Sequence, residues 1–188
     1  YDCSVTGIDH SEMMVKKARK KAKGREVDVE FTVADAHQLP FEDEYFDVVI
    51  SECTLCLLEK EKVLDEMTRV VKEGGRVGIH DICWSEDADQ SLKKSLAEIE
   101  GERPETKDGW INLFENAGLN EIEAKEEPNI MDDWMERMER EMGISGKLKI
   151  FMKVVKEWGF EGLKNIRKSE KIFEDPQTGY IIIVGRKH

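Results

Sequence analysis

Side chains able to hold a ligand recur in this 188-residue chain where apolar, β-branched runs end. Asp9-His10 follows Cys3–Ile8, Asp35-Ala36 follows Phe31–Ala34, and Ser51-Glu52 follows Phe46–Ile50. His80-Asp81 falls near the end of a fourth run, Arg76–Ile82. A carboxylate is an acceptor only and can take two donors at once. In an open α/β sheet, ligands bind beyond the carboxyl ends of the strands, where the connections diverge. These positions therefore read as binding chemistry first. His80-Asp81 offers a base or a pocket wall, with a hydrogen-bonded structural histidine as the simpler alternative.

Three thiols stand in the same regions. Cys53 and Cys56 follow the third run, and Cys83 follows the fourth, so all three are placed to converge at one end of the sheet. Soft thiolates suit thiophilic ions, but the commonest fate of a free cysteine is that of a small buried hydrophobe. A lone C-x-x-C without a second pair falls short of a zinc site, and no metal is assigned.

The elements that must carry these residues follow from periodicity. Ser11 is an N-cap, with Glu12 in the first turn and Met14, Ala18 and Ala22 on one helical face up to Gly24. Val27–Ala34 completes a strand–helix–strand unit. Phe46–Ile50 is nearly all apolar, as expected of a parallel strand covered on both faces. Val63, Leu64, Met67, Val70 and Val71 form a helical stripe that Gly74-Gly75 closes, before the strand Arg76–Ile82. Thr106 caps a helix burying Trp110, Leu113, Phe114 and Ala117, with Gly118 as its stop. Leu119–Lys125 alternates as an edge strand should, and Tyr180–Val184 is apolar enough for an interior one. Between them lie three helical patterns, Met131–Met142, Leu148–Trp158 and Leu163 to about Lys171, far more chain than a normal loop. The expected fold class is α/β, a doubly wound, mostly parallel sheet whose last strand is antiparallel. A helical cap at 128–178 divides a core of 1–127 plus 179–188.

Composition narrows the partners. The net charge is -12, and nucleic acids and anionic membranes need basic clusters instead. No apolar run approaches a membrane span. Four scattered cysteines suit a cytoplasmic protein better than a disulfide scaffold.

From Tyr1 to about Glu127 the chain resembles the class I, Rossmann-like S-adenosylmethionine-dependent methyltransferases. The segments "GIDHSEMMVKKARKKA", "ADAHQLPFEDEYFDVVIS", "VLDEMTRVVKEGGRVGIHD" and "WINLFENAGL" stand in the family's order and spacing. The resemblance implies S-adenosyl-L-methionine as cofactor. Asp9 would accept both ribose hydroxyls, with His10 beside the adenine. Asp35 and the backbone N–H of Ala36 would read the adenine edge, and Ser51 would lie near the methionine moiety. Glu52, Cys53, His80 and Trp84 would bound the substrate; no catalytic residue is implied. The family's first strand and its G-x-G-x-G loop are absent from this sequence. Because that strand is central, roughly 30–50 residues are expected ahead of Tyr1, about one strand–helix unit plus a lead-in. The alternative is a homodimer that completes the sheet between chains.

The segment "VVISECTLCLL" also resembles arsenite methyltransferases, in which a cysteine at the Cys53 position binds arsenic. The stretch "LAEIEGERPE", where that family carries another cysteine, has none. The expected activity is methyl transfer to a small molecule by in-line displacement. Its rivals are a nicotinamide-dependent oxidoreductase, which also reads a ribose with an acidic residue, and a non-catalytic binding or assembly protein. The stripe Met131, Trp134, Met135, Met138 and Met142, with Phe151, Met152, Val155 and Trp158, suits a buried cap core, an adaptable substrate pocket or a dimer face equally well.

Overall fold

The computed structural model describes residues 3–25, 27–127 and 131–188; between 131 and 154, side chains are described only at 143, 152 and 153. The first half runs β1 (Val5–Asp9), α1 (Glu12–Gly24), β2 (Val29–Val33), β3 (Phe46–Glu52), a 3₁₀ turn at Leu55–Leu57, and α2 (Lys60–Val70). The second runs β4 (Val71–Trp84), α3 (Gln90–Ile99), β5 (Glu105–Thr106), α4 (Lys107–Asn116), β6 (Leu119–Glu127), α5 (Met131–Phe173) and β7 (Thr178–Lys187). Both expected caps are in place. Ser11 Oγ accepts from the Met14 N–H, and Thr106 Oγ1 from the Gly109 N–H. Each fills a donor that the first helical turn leaves unpaired.

β1 pairs with β2 in parallel, and a second sheet has the order β3-β4-β7-β6, with β5 beside the end of β4. β3 and β4 are parallel, while β7 lies antiparallel between β4 and β6. The mostly parallel sheet with an antiparallel last strand is thus observed, and α5 is inserted between the last two strands. Its backbone breaks at Gly143 (φ 60°) and Gly159 (φ 63°), which yields three helical segments. The side chains of Met131, Trp134, Met135, Met138, Met142 and Phe151 lie outside the described residues. Met152 and Trp158 are exposed, so that part of the second stripe is not buried as a cap core would require.

The main core joins Leu55, Val63, Leu64 and Met67 to Val77 and Ile79, to Trp110 and Phe114, and to Ile181 and Ile183. A smaller cluster holds Trp84, Ala88, Leu96 and Ile172, which anchors the end of α5 against α3. Trp84, expected at the substrate wall, is 2% exposed within this second cluster. Three more expectations are corrected. Val15, not Met14, is the buried residue of α1, so the stripe is turned by one position. α2 ends at Val70, a turn before the glycines, because its carbonyls at Arg69 and Val70 accept the N–H groups of Glu44 and Tyr45. Gly75 serves close approach instead: a Cβ there would lie 2.8 Å from the Asp47 carbonyl oxygen. Finally, β3 is not covered on both faces. Among the described residues it pairs only with β4, and Val48 and Ile50 are 57% and 75% exposed.

Trp110 carries much of the packing: it is fully buried, and its Nε1–H donates to the Ile82 carbonyl at 3.1 Å. Trp110→Ala should cost about 3–5 kcal/mol in urea unfolding, as expected for emptying a filled aromatic site. A loss below about 1 kcal/mol would show that the core does not depend on it.

Candidate functional site

Asp9 and Asp35 stand at the ends of two adjacent parallel strands. Asp9 is opposite Val33 in the ladder, and the Ala34 N–H donates to the Asp9 carbonyl at 3.1 Å. Each carboxylate is oriented by its own turn. Asp9 Oδ1 accepts from the Ser11 N–H at 2.8 Å. Asp35 Oδ1 accepts from the His37 N–H at 2.9 Å and from His37 Nδ1 at 2.7 Å. In both residues the second oxygen has no hydrogen bond among the described residues, so each presents one free acceptor. The His37 contacts hold the Asp35 carboxyl below the usual carboxylate range, first through its backbone N–H and then through its ring. His37 Nε2 accepts from the Glu59 N–H at 3.3 Å, and these two partners assign the ring proton to Nδ1. His10 is almost fully exposed, 3.6 Å from Asp9.

A half-buried clamp fixes the loop that follows Asp35. Arg69 donates from Nε and Nη2 to the two carboxylate oxygens of Glu66, each at 2.7 Å. Its remaining donors reach the carbonyls of Leu39 and Phe41 and the Asp43 carboxylate. Glu66 in turn accepts the Leu39 N–H at 2.7 Å. Such a bidentate pair adds geometric specificity as well as energy. It fastens Leu39–Asp43 to α2, while Ala36 packs on the main core.

The second half of the region is built on Asp81, which is completely buried at the end of β4. Its Oδ2 accepts the N–H groups of Thr54, Leu55 and Cys56 at 3.1, 2.8 and 3.3 Å, and its Oδ1 that of Ile82 at 2.8 Å. A buried carboxylate is tolerable only when such donors replace water. Thus Asp81 is neither a base nor a pocket wall; it anchors the turn after β3. Cys53 lies at the bend in the left-handed region (φ 48°), with its N–H donating to the His80 carbonyl at 2.7 Å. Non-glycine residues rarely adopt this conformation, and persist in it where surrounding contacts over-determine them.

The side chains around that bend form one electrostatic group. His80 stacks near Tyr180, with ring centroids 5.5 Å apart, and its Nδ1 is 3.9 Å from Glu52. Although Cys53 is an exposed residue, burial of its thiol, then the Asp81, Glu52 and Glu102 charges, push it up to about 11. Cys56 is buried and displaced upward by burial and Asp81. Glu102 is pushed up to about 7 by burial, then by Glu100 and Asp81. The structure brings Glu52, Cys53 and His80 together. Ser51 is opposite Ile79 in the β3–β4 ladder, one position before the Glu52–His80 pair. Cys83 does not join them: it is buried, its thiol contacts the Trp84 carbonyl, and the charges acting on it are those of Glu126, Glu86 and Lys107. Sequence reasoning missed the anchoring role of Asp81, although the apolar run after it signals burial. It also missed Glu102, which nothing in its local sequence marks.

A cleft of about 360 Å³ opens between α1 and the first two strands, lined by Asp9, Val15, Lys21 and Phe31 among others. It reaches none of Asp35, Ala36 or Ser51, so it is not where these residues meet a ligand.

Two substitutions test this geometry. Asp81→Asn keeps the shape but sets an N–H₂ group or a weaker acceptor against the converging donors, and should cost about 1–3 kcal/mol in unfolding; an unchanged stability would contradict the anchor. Glu66 is held below its ordinary value chiefly by Arg69. Its stabilisation is therefore present above the unfolded value and lost as pH falls through the lower folded one. Glu66→Gln should destabilise at pH 7 and match the parent near pH 2, a convergence that denaturant melts at both pH values would check.

Comparisons with known proteins bear on the family and the fold. The family described as a methyltransferase domain matches residues 1–138. An uncharacterized protein of Haemophilus influenzae is 30% identical over 185 residues, covering 94% of this chain and 72% of that protein. An arsenite methyltransferase of Halobacterium salinarum is 31% identical over 140 residues, 71% of this chain and 36% of that one, so this chain spans about a third of its length. Among solved structures, a Haemonchus contortus phosphoethanolamine N-methyltransferase in complex with S-adenosyl-L-methionine superposes with a TM-score of 0.73 at 21% identity, covering 98% of this chain and 43% of the other. At that identity the likeness is one of fold.

Proposed function

The chain belongs to the methyltransferase-domain family, an S-adenosyl-L-methionine-dependent group, and we propose that it methylates a small molecule by in-line displacement. The observation that carries this is the pair of oriented carboxylates, Asp9 and Asp35, each with one unengaged oxygen at neighbouring strand ends. They fit the cofactor's polar edges: Asp9 would accept the ribose hydroxyls, while Asp35 and the Ala36 N–H would read the adenine. His10 would flank the base and Ser51 the methionine end. When bound, the cofactor supplies a methyl carbon activated by its sulfonium. The protein's task is then mostly placement, holding the acceptor in line and keeping water out. Glu52, Cys53 and His80 would bound the acceptor; their arrangement at the bend after β3 supports that role. Trp84 would act only from behind, through the second core cluster.

The net charge of -12 supports a small acceptor over a nucleic acid. Among the described residues, no helix is long and apolar enough to cross a membrane, and all four cysteines are free, which supports a cytoplasmic setting. The similarity to an arsenite methyltransferase favours trivalent arsenic as a second acceptor. The thiols count against it. Arsenic binds thiolates, whereas Cys53 is pushed up to about 11, Cys56 is buried and Cys83 lies elsewhere.

Calorimetric titration tests the proposal. Asp9→Ala should weaken S-adenosylhomocysteine binding by about 1–3 kcal/mol, the usual cost of unmaking such contacts. Unchanged affinity would refute the role of Asp9. Tight binding of a nicotinamide dinucleotide without S-adenosylhomocysteine would replace the methyltransferase with an oxidoreductase, and binding of neither would leave a non-catalytic protein.

A further inference from the structure

The charge of this chain is unevenly spread. Its net value is -12, yet residues 144–173, the later part of α5, carry eight Lys and Arg against three Glu, a local charge of +5. A corner interrupts this basic stretch. The backbone of Gly159 takes φ 63° and ψ -157°, a combination that side-chain-bearing residues rarely adopt. Trp158 and Phe160 flank the break and stand 65% and 83% exposed. Two large aromatic side chains left in water beside one another mark an interaction surface rather than scattered exposure.

Beyond the corner, α5 is held from behind. Ser169 and Ile172 are buried, and Thr178 Oγ1 donates to the Ile172 carbonyl at 2.7 Å. By helical spacing, Phe160, Lys164, Arg167 and Lys171 share the face turned away from those two, with Lys168 beside it. All five are exposed. Lys164 Nζ lies 3.5 Å from the Glu161 carboxylate, whereas Arg167, Lys168 and Lys171 make no ion pair among the described residues. An exposed aromatic corner thus continues into a row of cations without counter-charges.

We propose that this corner and the basic row beyond it dock on an anionic lipid bilayer, with Trp158 and Phe160 entering the headgroup boundary and the cations meeting lipid phosphate. The two parts act together: clustered Lys and Arg on a helix are drawn to an anionic leaflet, and aromatic rings at its surface supply the apolar anchor. The segment lies on the bilayer, since among the described residues no helix is long and apolar enough to cross it. A nucleic acid would satisfy the cations, but a strand long enough to follow the row would also run along the acidic remainder of the chain. A second copy of this chain would set two faces of like charge together. The inference goes beyond methyl transfer and does not depend on it, because none of these residues belongs to the strand-end site.

Cosedimentation with vesicles tests it, using phosphatidylcholine alone and phosphatidylcholine mixed three to one with phosphatidylglycerol. The protein should bind the anionic vesicles about tenfold or more tighter than the neutral ones and be released as NaCl rises from about 0.05 M to about 0.5 M. Phe160→Ser should weaken that binding about tenfold. Lys164→Glu, Arg167→Glu and Lys171→Glu together should weaken it about a hundredfold, at roughly fivefold for each charge lost near the surface. All four residues are exposed, so both variants should melt with the parent, and the lipid and salt dependence of the parent decides the case even where a variant melts lower. Equal binding to both vesicles, binding to neither, or binding that Phe160→Ser leaves unchanged would overturn the proposal. So would tighter binding of a single-stranded RNA than of the anionic vesicles, or a dimer that the parent forms and Phe160→Ser loses.

Discussion

A single buried carboxylate sets the geometry of the turn after β3, on which the proposed acceptor side of this protein depends. Asp81 gathers three successive N–H groups of the turn after β3 and one of its own strand. Without water in reach, those donors and that charge can be satisfied only by one another. The constraint forces the chain to leave β3 through the left-handed conformation of Cys53. That places Glu52, Cys53 and His80 around one point and brings the Glu102 stretch against Cys56. Burial first, and this charge second, raise the neighbouring Cys53 and Cys56 thiols.

The strand ends proposed to hold the adenosine rest on a different device. There the carboxylates remain at the surface, and precision comes from local turns together with the Arg69–Glu66 clamp that ties the following loop to α2. The division of labour follows from solvent. An exposed carboxylate retains a free lone pair for a ligand at little cost, whereas a buried one must be saturated to be tolerated.

Much of the architecture was legible in the sequence because local rules and tertiary packing agree. Ser11 and Thr106 cap as their types demand, Gly118 stops α4 at φ 80°, and the apolar run Tyr180–Val184 lies inside the sheet. The three helical patterns before β7 correspond to segments broken at Gly143 and Gly159. What misled was burial. Val48 and Ile50 read as interior residues, yet among the described residues β3 has a partner on one side only. Trp84 looked like a pocket wall and is core, because β4 continues past the site into the second cluster. Cys83 shares a strand end with the site but points its chemistry elsewhere. Asp81 and Glu102 were illegible for a common reason: their roles arise from donors and charges remote in sequence.

The central claim is that the ends of β1, β2 and β3 form one cofactor surface. Amide chemical-shift mapping of the ¹⁵N-labelled protein with S-adenosylhomocysteine tests it most directly. The account predicts that the largest shifts fall on the backbone amides of His10, Ala36, His37 and Glu52. Shifts confined to the α1 cleft around Val15 and Lys21, or no shifts at saturating ligand, would contradict it.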